Sequence, residues 1–296
     1  MLTVDEAFAK FKGRLEITDS EADDASARHK RIRQVVGDAI DVDHHFLTGS
    51  YARHTKTKPL KDVDIFVVLG EDAKAWRDDP PLSVLKEIKQ ILDEEFGSHR
   101  VEIARRSARV DFGVSIVDDV SDKIVSFDVV PAFEEDNHFV IPDRILGDWM
   151  ASDPRIHAAE ATAANKAFDL KWKPVVKMIK KWNDHNGKPV KPSFLIEVMA
   201  LKLIVGPWTG SYPYELKGFF ATASEAVSDV WPDPAGLGEP VSDRLDNDSA
   251  LMATAKTALR SAEQACTEAL RLAAAGRSGN ALAAWQNLFG PLFAKS

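Results

Sequence analysis

Three aspartates and a Gly-Ser pair offer the most pointed chemistry in this 296-residue chain. Asp62 and Asp64 stand two residues apart in Asp62-Val63-Asp64-Ile65, where an apolar, β-branched run to Leu69 begins. Strand side chains alternate between faces, so both acids point the same way, with Cα atoms about 6.6 Å apart. Val63 and Ile65 then point to the core. Carboxylates held side by side repel each other, so either a cation lies between them or one pKa is raised. Hard divalent cations such as Mg²⁺ take oxygen ligands, keep some waters and draw the rest from substrate phosphates. Asp128 lies in a matching setting, Val125-Ser126-Phe127-Asp128-Val129-Val130, with Ser126 and Asp128 on one face. If that strand neighbours Val63–Leu69, three carboxylates suit two metal ions about 3.5–4 Å apart, the geometry of in-line phosphoryl displacement. Asp111, in Arg109-Val110-Asp111-Phe112, competes for the third position, and alternation alone does not choose between it and Asp128.

Gly49-Ser50 adds an anion-binding signal. Glycine lets a backbone approach a phosphate closely, and a helix starting there would add its amides and the Ser50 hydroxyl. The plainer reading is a Gly-Ser turn with Ser50 as N-cap. The pair leads to the acids through Arg53, Lys56, Lys58 and Lys61, a basic run that reads as a flexible, solvated loop.

The elements that must position these residues can be read coarsely. Residues 20–41 have helical spacing, and Phe46-Leu47 runs into a break at Thr48-Gly49-Ser50. Val63–Leu69 reads as a buried strand. Pro80-Pro81 opens a helix through Phe96 that Gly97 stops. Val101–Ala104, Arg109–Val117 and Lys123–Val130 read as strands, with Asp118-Asp119 and Ser121-Asp122 as the last turn. After Asp153-Pro154 the texture becomes helical: 155–184, 193–205, 214–229, 249–275 and 279–288. The expectation is an α+β unit over 1–150, N-terminal helices included, and an all-helical lobe over 151–296. A cleft between the lobes is the natural ligand site.

Composition narrows the function classes. The net charge of −8 argues against a basic coat for nucleic acid. Yet Lys166–Lys202 holds nine lysines against Asp169, Asp184 and Glu197, a local basic stretch suited to a confined anion. The single cysteine, Cys266, excludes an internal disulfide and a multi-thiolate zinc site. No apolar run spans a bilayer, and Met1–Lys12 lacks a signal core, so a cytoplasmic protein with no membrane partner is expected. The histidines lack metal-ligand spacing with a glutamate, and neither G-x-S-x-G nor a Walker loop occurs.

Taken together, several segments resemble one family. They are Gly49-Ser50-Tyr51-Ala52-Arg53-His54-Thr55, Asp62-Val63-Asp64-Ile65, Phe127-Asp128-Val129-Val130-Pro131-Ala132, Trp149 before Asp153-Pro154, Val176-Lys177-Met178-Ile179-Lys180-Lys181-Trp182-Asn183 and Ser193-Phe194-Leu195-Ile196-Glu197. In this order they resemble the CD-NTases, the cGAS/DncV-like, SMODS-type cyclases of the polymerase-β-like nucleotidyltransferase superfamily.

The resemblance implies a polymerase-β-like core, a mixed sheet with helices, and an active site in the cleft beside a helical lobe. It selects Asp128 over Asp111, making Asp62, Asp64 and Asp128 the catalytic, metal-binding triad for Mg²⁺, with Mn²⁺ able to substitute. Gly49, Ser50, Lys180 and Ser193 would hold the donor triphosphate, with Lys177 one turn before Lys180 on the same face. Phe194 takes a place where a ring can stack on a base, although on its own it reads more as core. Ser193 after Pro192 also reads as a helix N-cap. Ser152 falls near a base-selecting position. The implied reaction joins nucleoside triphosphates, ATP among them, into a cyclic di- or trinucleotide with release of pyrophosphate. That second messenger would activate a downstream effector in antiphage (CBASS-type) defence. The single cysteine and acidic balance depart from the family's zinc-bearing DNA sensor, so direct DNA binding is not expected. The alternatives are a linear oligonucleotide product, modification of a drug or protein, and a catalytically silent nucleotide-binding regulator.

Overall fold

A computed structural model describes residues 2–112 and 126–293. The elements run α1 (Val4–Leu15), α2 (Asp19–Ala39), β1 (Val42–Thr48), α3 (Gly49–Ala52), β2 (Asp62–Leu69), α4 (Pro81–Phe96), β3 (Val101–Ile103), β4 (Ala108–Asp111), β5 (Ser126–Glu135), β6 (His138–Asp143), β7 (Asp148–Ser152), α5 (Pro154–Ala167), α6 (Trp172–His185), α7 (Ser193–Leu203), α8 (Tyr212–Ala226), α9 (Asp243–Asp246), α10 (Ser249–Ala274) and α11 (Ser278–Phe289). They divide into two compact units: Ile17–Ile156, and Met1–Glu16 with His157–Ser296. The units divide at 156/157 and not at the expected 150/151, and the N-terminal helices are not all in the first unit. Helix α1 belongs with the C-terminal helices, because Ala7, Phe8, Phe11 and Leu15 are buried in their core.

The α+β unit is built on a mixed sheet in the order β1-β2-β5-β4-β3. β2 and β5 are parallel, and the other pairs on this path are antiparallel. One face is apolar throughout. Val63, Ile65 and Val67 of β2, Val110 of β4, and Phe127 and Val129 of β5 pack with Ile32 and Val36 of α2 and Val84, Ile88 and Leu92 of α4. The other face is polar at one end and apolar at the other. Phe66 and Val68 of β2 and Val130 and Ala132 of β5 form a second small core with Phe139 and Ile141 of β6. β2 is thus buried on both faces beyond Asp64, which is why its sequence reads as a nearly unbroken apolar run.

Several expected elements differ in extent. The strand begun at Lys123 lies outside the described residues until Ser126, and from there β5 continues to Glu135. The Arg109–Val117 strand is seen as β4 to Asp111. Its remainder, with the Asp118-Asp119 and Ser121-Asp122 turn, lies outside the described residues. Strands β6 and β7 form a hairpin that extends β5. The single helix expected over 155–184 is two helices. Asp169 and Leu170 take left-handed backbone conformations between them. Pro174, lacking an amide hydrogen, is accommodated in the first turn of α6.

The helical unit has one large core. Trp172, Val175, Val176, Ile179 and Trp182 of α6 pack with α7, α8, α10, α11 and α1. Among the described residues, no helix is long and apolar enough to cross a membrane.

Candidate functional site

The sheet register places the acids. Asp64 is the direct partner of Asp128 across β2 and β5, and Asp62 is the partner of Ser126. Asp128 in turn faces Arg109 on β4, and Ser126 faces Asp111. Cross-strand partners share a face, so Asp62, Asp64, Asp128 and Asp111 all lie on the polar end of one face. Asp128 is on the strand next to β2. Asp111 is one strand further away, roughly 10 Å from β2 at the usual strand spacing.

One row of partners therefore crosses the whole sheet: Glu102, Arg109, Asp128, Asp64 and Thr48. Charges alternate from Glu102 through Arg109 to Asp128, and then two carboxylates stand adjacent. Burial, followed by the charge of Asp128, pushes the Asp64 carboxyl up to about 6. Asp62 behaves oppositely. Burial raises it, but Lys56, the Ser126 hydroxyl and Arg109 together hold it below the usual carboxylate range. Ser126 Oγ donates to Asp62 Oδ1 at 2.9 Å, and Lys56 Nζ lies 3.5 Å from Oδ2.

Asp128 is buried and held firmly. Ser107 Oγ donates to its Oδ1 at 2.6 Å. Arg109 donates through Nε to Oδ1 at 3.2 Å and through Nη2 to Oδ2 at 3.0 Å. This pairing raises the Arg109 guanidinium above its usual range. Among the described residues, no three His, Cys, Asp or Glu side chains form a ready metal cage. The three acids share a face, but Asp62 and Asp128 are each drawn toward their own donors.

Gly49 is required by geometry. Its φ is +64°, and a Cβ there would lie 1.8 Å from Asp64 Oδ2. The backbone of the Gly-Ser pair thus packs directly on the central acid. Helix α3 is a single turn over Gly49–Ala52. The basic run after it is not the flexible loop that its composition suggests. The Ser50 carbonyl accepts the amides of Thr55 and Lys56 at 3.0 and 3.1 Å. Arg53, Thr55 and Leu60 are buried, and the Leu60 amide donates to the buried Glu21 carboxylate. Solvation favours loose lysine loops, but here Leu60 joins the core and draws the segment down. Ser152 closes β7, paired with Phe139.

Lys177, Lys180, Ser193 and Phe194 belong to the helical unit. Lys180 donates to Glu197 at 2.8 Å in a buried ion pair, and Lys177 pairs with Glu16. Ser193 is the first residue of α7. The N-cap position is Pro192, with no side-chain cap bond, so Ser193 is not the N-cap that its sequence context suggests. The Phe194 ring is partly buried and lies 5.0 Å from the His157 ring.

Comparison with known proteins follows the same lines. Residues 1–165 match the Second Messenger Oligonucleotide or Dinucleotide Synthetase domain. The chain belongs to this family. A probable cyclic nucleotide synthase of Bacillus cereus (strain VD146) is 29% identical over 282 residues, covering 83% of this chain and 80% of the relative. A cyclic AMP-AMP-AMP synthase of an Acinetobacter strain is 26% identical over 257 residues, covering 80% and 68%. The Vibrio cholerae DncV cyclic AMP-GMP synthase, solved with the linear intermediate 5′ pppA(3′,5′)pG, shares the fold. Its TM-score is 0.74 at 14% identity, over 100% of this chain and 98% of that one.

Three residues of this synthetase-family chain carry weight that their types alone do not announce. Arg109 matters through register, since it faces Asp128 across the ladder, and Ser107 through its hydrogen bond to Asp128 from the turn before β4. Lys173 lies one turn before Lys177. Burial, and then the charge of Lys177, lower its pKa, which marks a crowded cationic face. The i, i+4, i+7 spacing of Lys173, Lys177 and Lys180 is the signal that could have found it.

Proposed function

We propose that this protein is a metal-dependent nucleotidyltransferase that joins nucleoside triphosphates, ATP among them, into a cyclic di- or trinucleotide and releases pyrophosphate. The observation that carries this reading is the adjacent pair Asp64 and Asp128. Two carboxylates face each other across parallel strands, with Gly49 packed on one and Asp62 two residues along. Arg109 offsets the charge of Asp128, yet the Asp64 carboxyl is still pushed up to about 6 by burial and by Asp128, and a cation there would relieve it.

The donor set suits a hard cation. It consists of carboxylate oxygens without nitrogen or sulfur, the preference of Mg²⁺, with Mn²⁺ able to substitute. Asp62, Asp64 and Asp128 would hold it. When bound, it would supply charge stabilisation on the transferring phosphoryl group and a lowered pKa for the attacking hydroxyl.

The chain's own residues do the rest. Asp128, fixed by Ser107 and Arg109, orients the acceptor ribose hydroxyl. That oxygen loses its proton to solvent and bonds to the α-phosphorus of the donor, and the bond from the α-phosphorus to the oxygen of the β-phosphate breaks, releasing pyrophosphate. Gly49 leaves room for the triphosphate by lacking a side chain, and Ser50 offers its hydroxyl. Lys177, Lys180 and Ser193 are the proposed triphosphate contacts of the helical unit. Phe194 is the base platform and Ser152 the base-selecting position. A last round within the linear intermediate closes the ring, the second round for a dinucleotide and the third for a trinucleotide, each releasing one pyrophosphate. The names of the relatives in Bacillus cereus and Acinetobacter, and the pppA(3′,5′)pG intermediate in DncV, support this order of events. We place the product in antiphage signalling in the cytoplasm, acting on a downstream effector, with no direct DNA contact.

The test is incorporation of labelled triphosphate with Mg²⁺ or Mn²⁺. Asp62→Ala with Asp64→Ala should abolish pyrophosphate release while leaving the chain folded. Retained release in that double variant would remove the triad from the mechanism.

A further inference from the structure

Asp128 is the most constrained of the three acids, and the constraint comes from one side. Arg109 faces it directly across the β4–β5 ladder and grips both of its oxygens. Ser107, two residues earlier, adds the short bond to Oδ1. A carboxylate offers about four acceptor positions. Among the described residues, Ser107 and Arg109 use two on Oδ1 and one on Oδ2. One position on Oδ2 is left over.

The grip is itself supported. Arg109 sits between Asp128 and Glu102, whose Oε1 lies 3.7 Å from its Nη1, so opposite charges fix it from both sides. The turn that carries Ser107 is anchored at Arg105 and Arg106. Both reach the buried Asp143, at 2.7 and 2.8 Å. Asp143 also accepts the amides of Ile145 and Leu146 at 3.0 and 3.2 Å, which locks the β6–β7 turn to the same point. The donors therefore reach Asp128 from a braced segment. Without them, repulsion from Asp64 would turn the Asp128 carboxylate away.

We propose that Arg109 is a positioning residue for the metal-dependent reaction. With Ser107, it holds Asp128 in one orientation and leaves a single Oδ2 position for a divalent cation. This rests on reading Asp128 as a metal ligand. A guanidinium fork fixes a carboxylate plane, and a lysine ammonium, carrying the same charge, does not. The proposal therefore concerns geometry and not charge alone.

The experiment is a Mg²⁺ titration of nucleotide-free protein, read as the rise in melting temperature, so that it needs no turnover. Wild type is compared with Arg109→Lys, Arg109→Gln, Ser107→Ala and Asp128→Asn. Loss of an outer-shell partner weakens metal affinity about 10–100-fold. The Mg²⁺ midpoint should therefore rise at least about tenfold in both Arg109 variants. It should rise by a smaller factor in Ser107→Ala, where no charge changes. If Arg109→Gln fails to fold, the Lys and Ser107 variants carry the test. A lower melting temperature with an unchanged midpoint would make Arg109 purely structural and overturn the proposal. So would a lower midpoint in Arg109→Gln, the mark of simple charge repulsion. Asp128→Asn separates the two layers. If it keeps the full Mg²⁺ response, Asp128 is not a ligand, and this inference falls with that reading. If it loses the response while Arg109→Lys keeps the wild-type midpoint, only the role of Arg109 is wrong.

Discussion

Gly49→Ala is the sharpest single perturbation. The added Cβ would lie 1.8 Å from Asp64 Oδ2 and 2.7 Å from its Cγ, and the backbone φ is +64°. Two costs follow. A residue with a Cβ in the left-handed region costs roughly 1–2 kcal/mol relative to glycine. Clearing the overlap means moving the Asp64 carboxylate more than an ångström, off its rotamer, at about 0.5–1.5 kcal/mol. The sum is about 1.5–3.5 kcal/mol. At about 2–4 °C per kcal/mol for a chain of this size, the melting temperature should fall by about 3–14 °C. Turnover should fall much further, because the displaced carboxylate is a proposed metal ligand. The clash and the strain can be separated by a double-mutant cycle. In an Asp64→Ala background the carboxylate is gone and only a Cβ contact at 3.2 Å remains, so Gly49→Ala should cost little beyond the backbone strain, about 1 kcal/mol less. Calorimetric melting of the four proteins, with labelled-triphosphate turnover of wild type and Gly49→Ala, is the assay. An identical cost in both backgrounds, or full activity in Gly49→Ala, would refute the packing of Gly49 on Asp64 as the reason for glycine.

Two further outcomes follow from the same structure. Burial, then the charges of Arg33 and Lys30, lower His29 to about 4, so it is neutral in the folded chain at pH 6.5, where the unfolded chain begins to take up a proton. Stability from this group is present above pH 6.5 and is lost as pH falls toward 4; half-exposure trims the loss to about 1–2 kcal/mol, and His29→Gln should flatten that part of the melting-temperature profile. Asp143→Ala should cost about 2–3 kcal/mol in a urea melt, because Arg105, Arg106 and the amides of Ile145 and Leu146 lose their shared acceptor.

The sheet was legible where two signals coincide. Alternation in Asp62-Val63-Asp64-Ile65 and in Ser126-Phe127-Asp128-Val129 gives both strand and face, and these residues lie in β2 and β5 as expected. Their pairing was not legible. A parallel neighbour leaves no local turn to set the register, so spacing alone could not separate Asp128 from Asp111. The resemblance selected Asp128, and the register puts it directly opposite Asp64. Helix α1 had readable signals of its own. Thr3 and Glu6 form a capping box, and Ala7, Phe8, Phe11 and Leu15 recur at helical spacing. Its membership of the C-terminal unit is a long-range packing fact that no local pattern carries. The acid partners of Lys177 and Lys180 are similar: Glu16 is 161 residues from Lys177, and Glu197 lies on the next helix. Sequence marked the lysines as cations on one helix face but could not say what neutralises them.

Three acids on one face of a mixed sheet are proposed to drive formation of a cyclic nucleotide. The most direct test is one product analysis. Purified protein is incubated with all four triphosphates and Mg²⁺ or Mn²⁺, treated with phosphatase, and its products are weighed by mass spectrometry. The account predicts a phosphatase-resistant cyclic di- or trinucleotide that disappears in the Asp62→Ala, Asp64→Ala double variant. A product from which phosphatase strips terminal phosphates to leave a linear chain, or triphosphate bound but never converted, would contradict it.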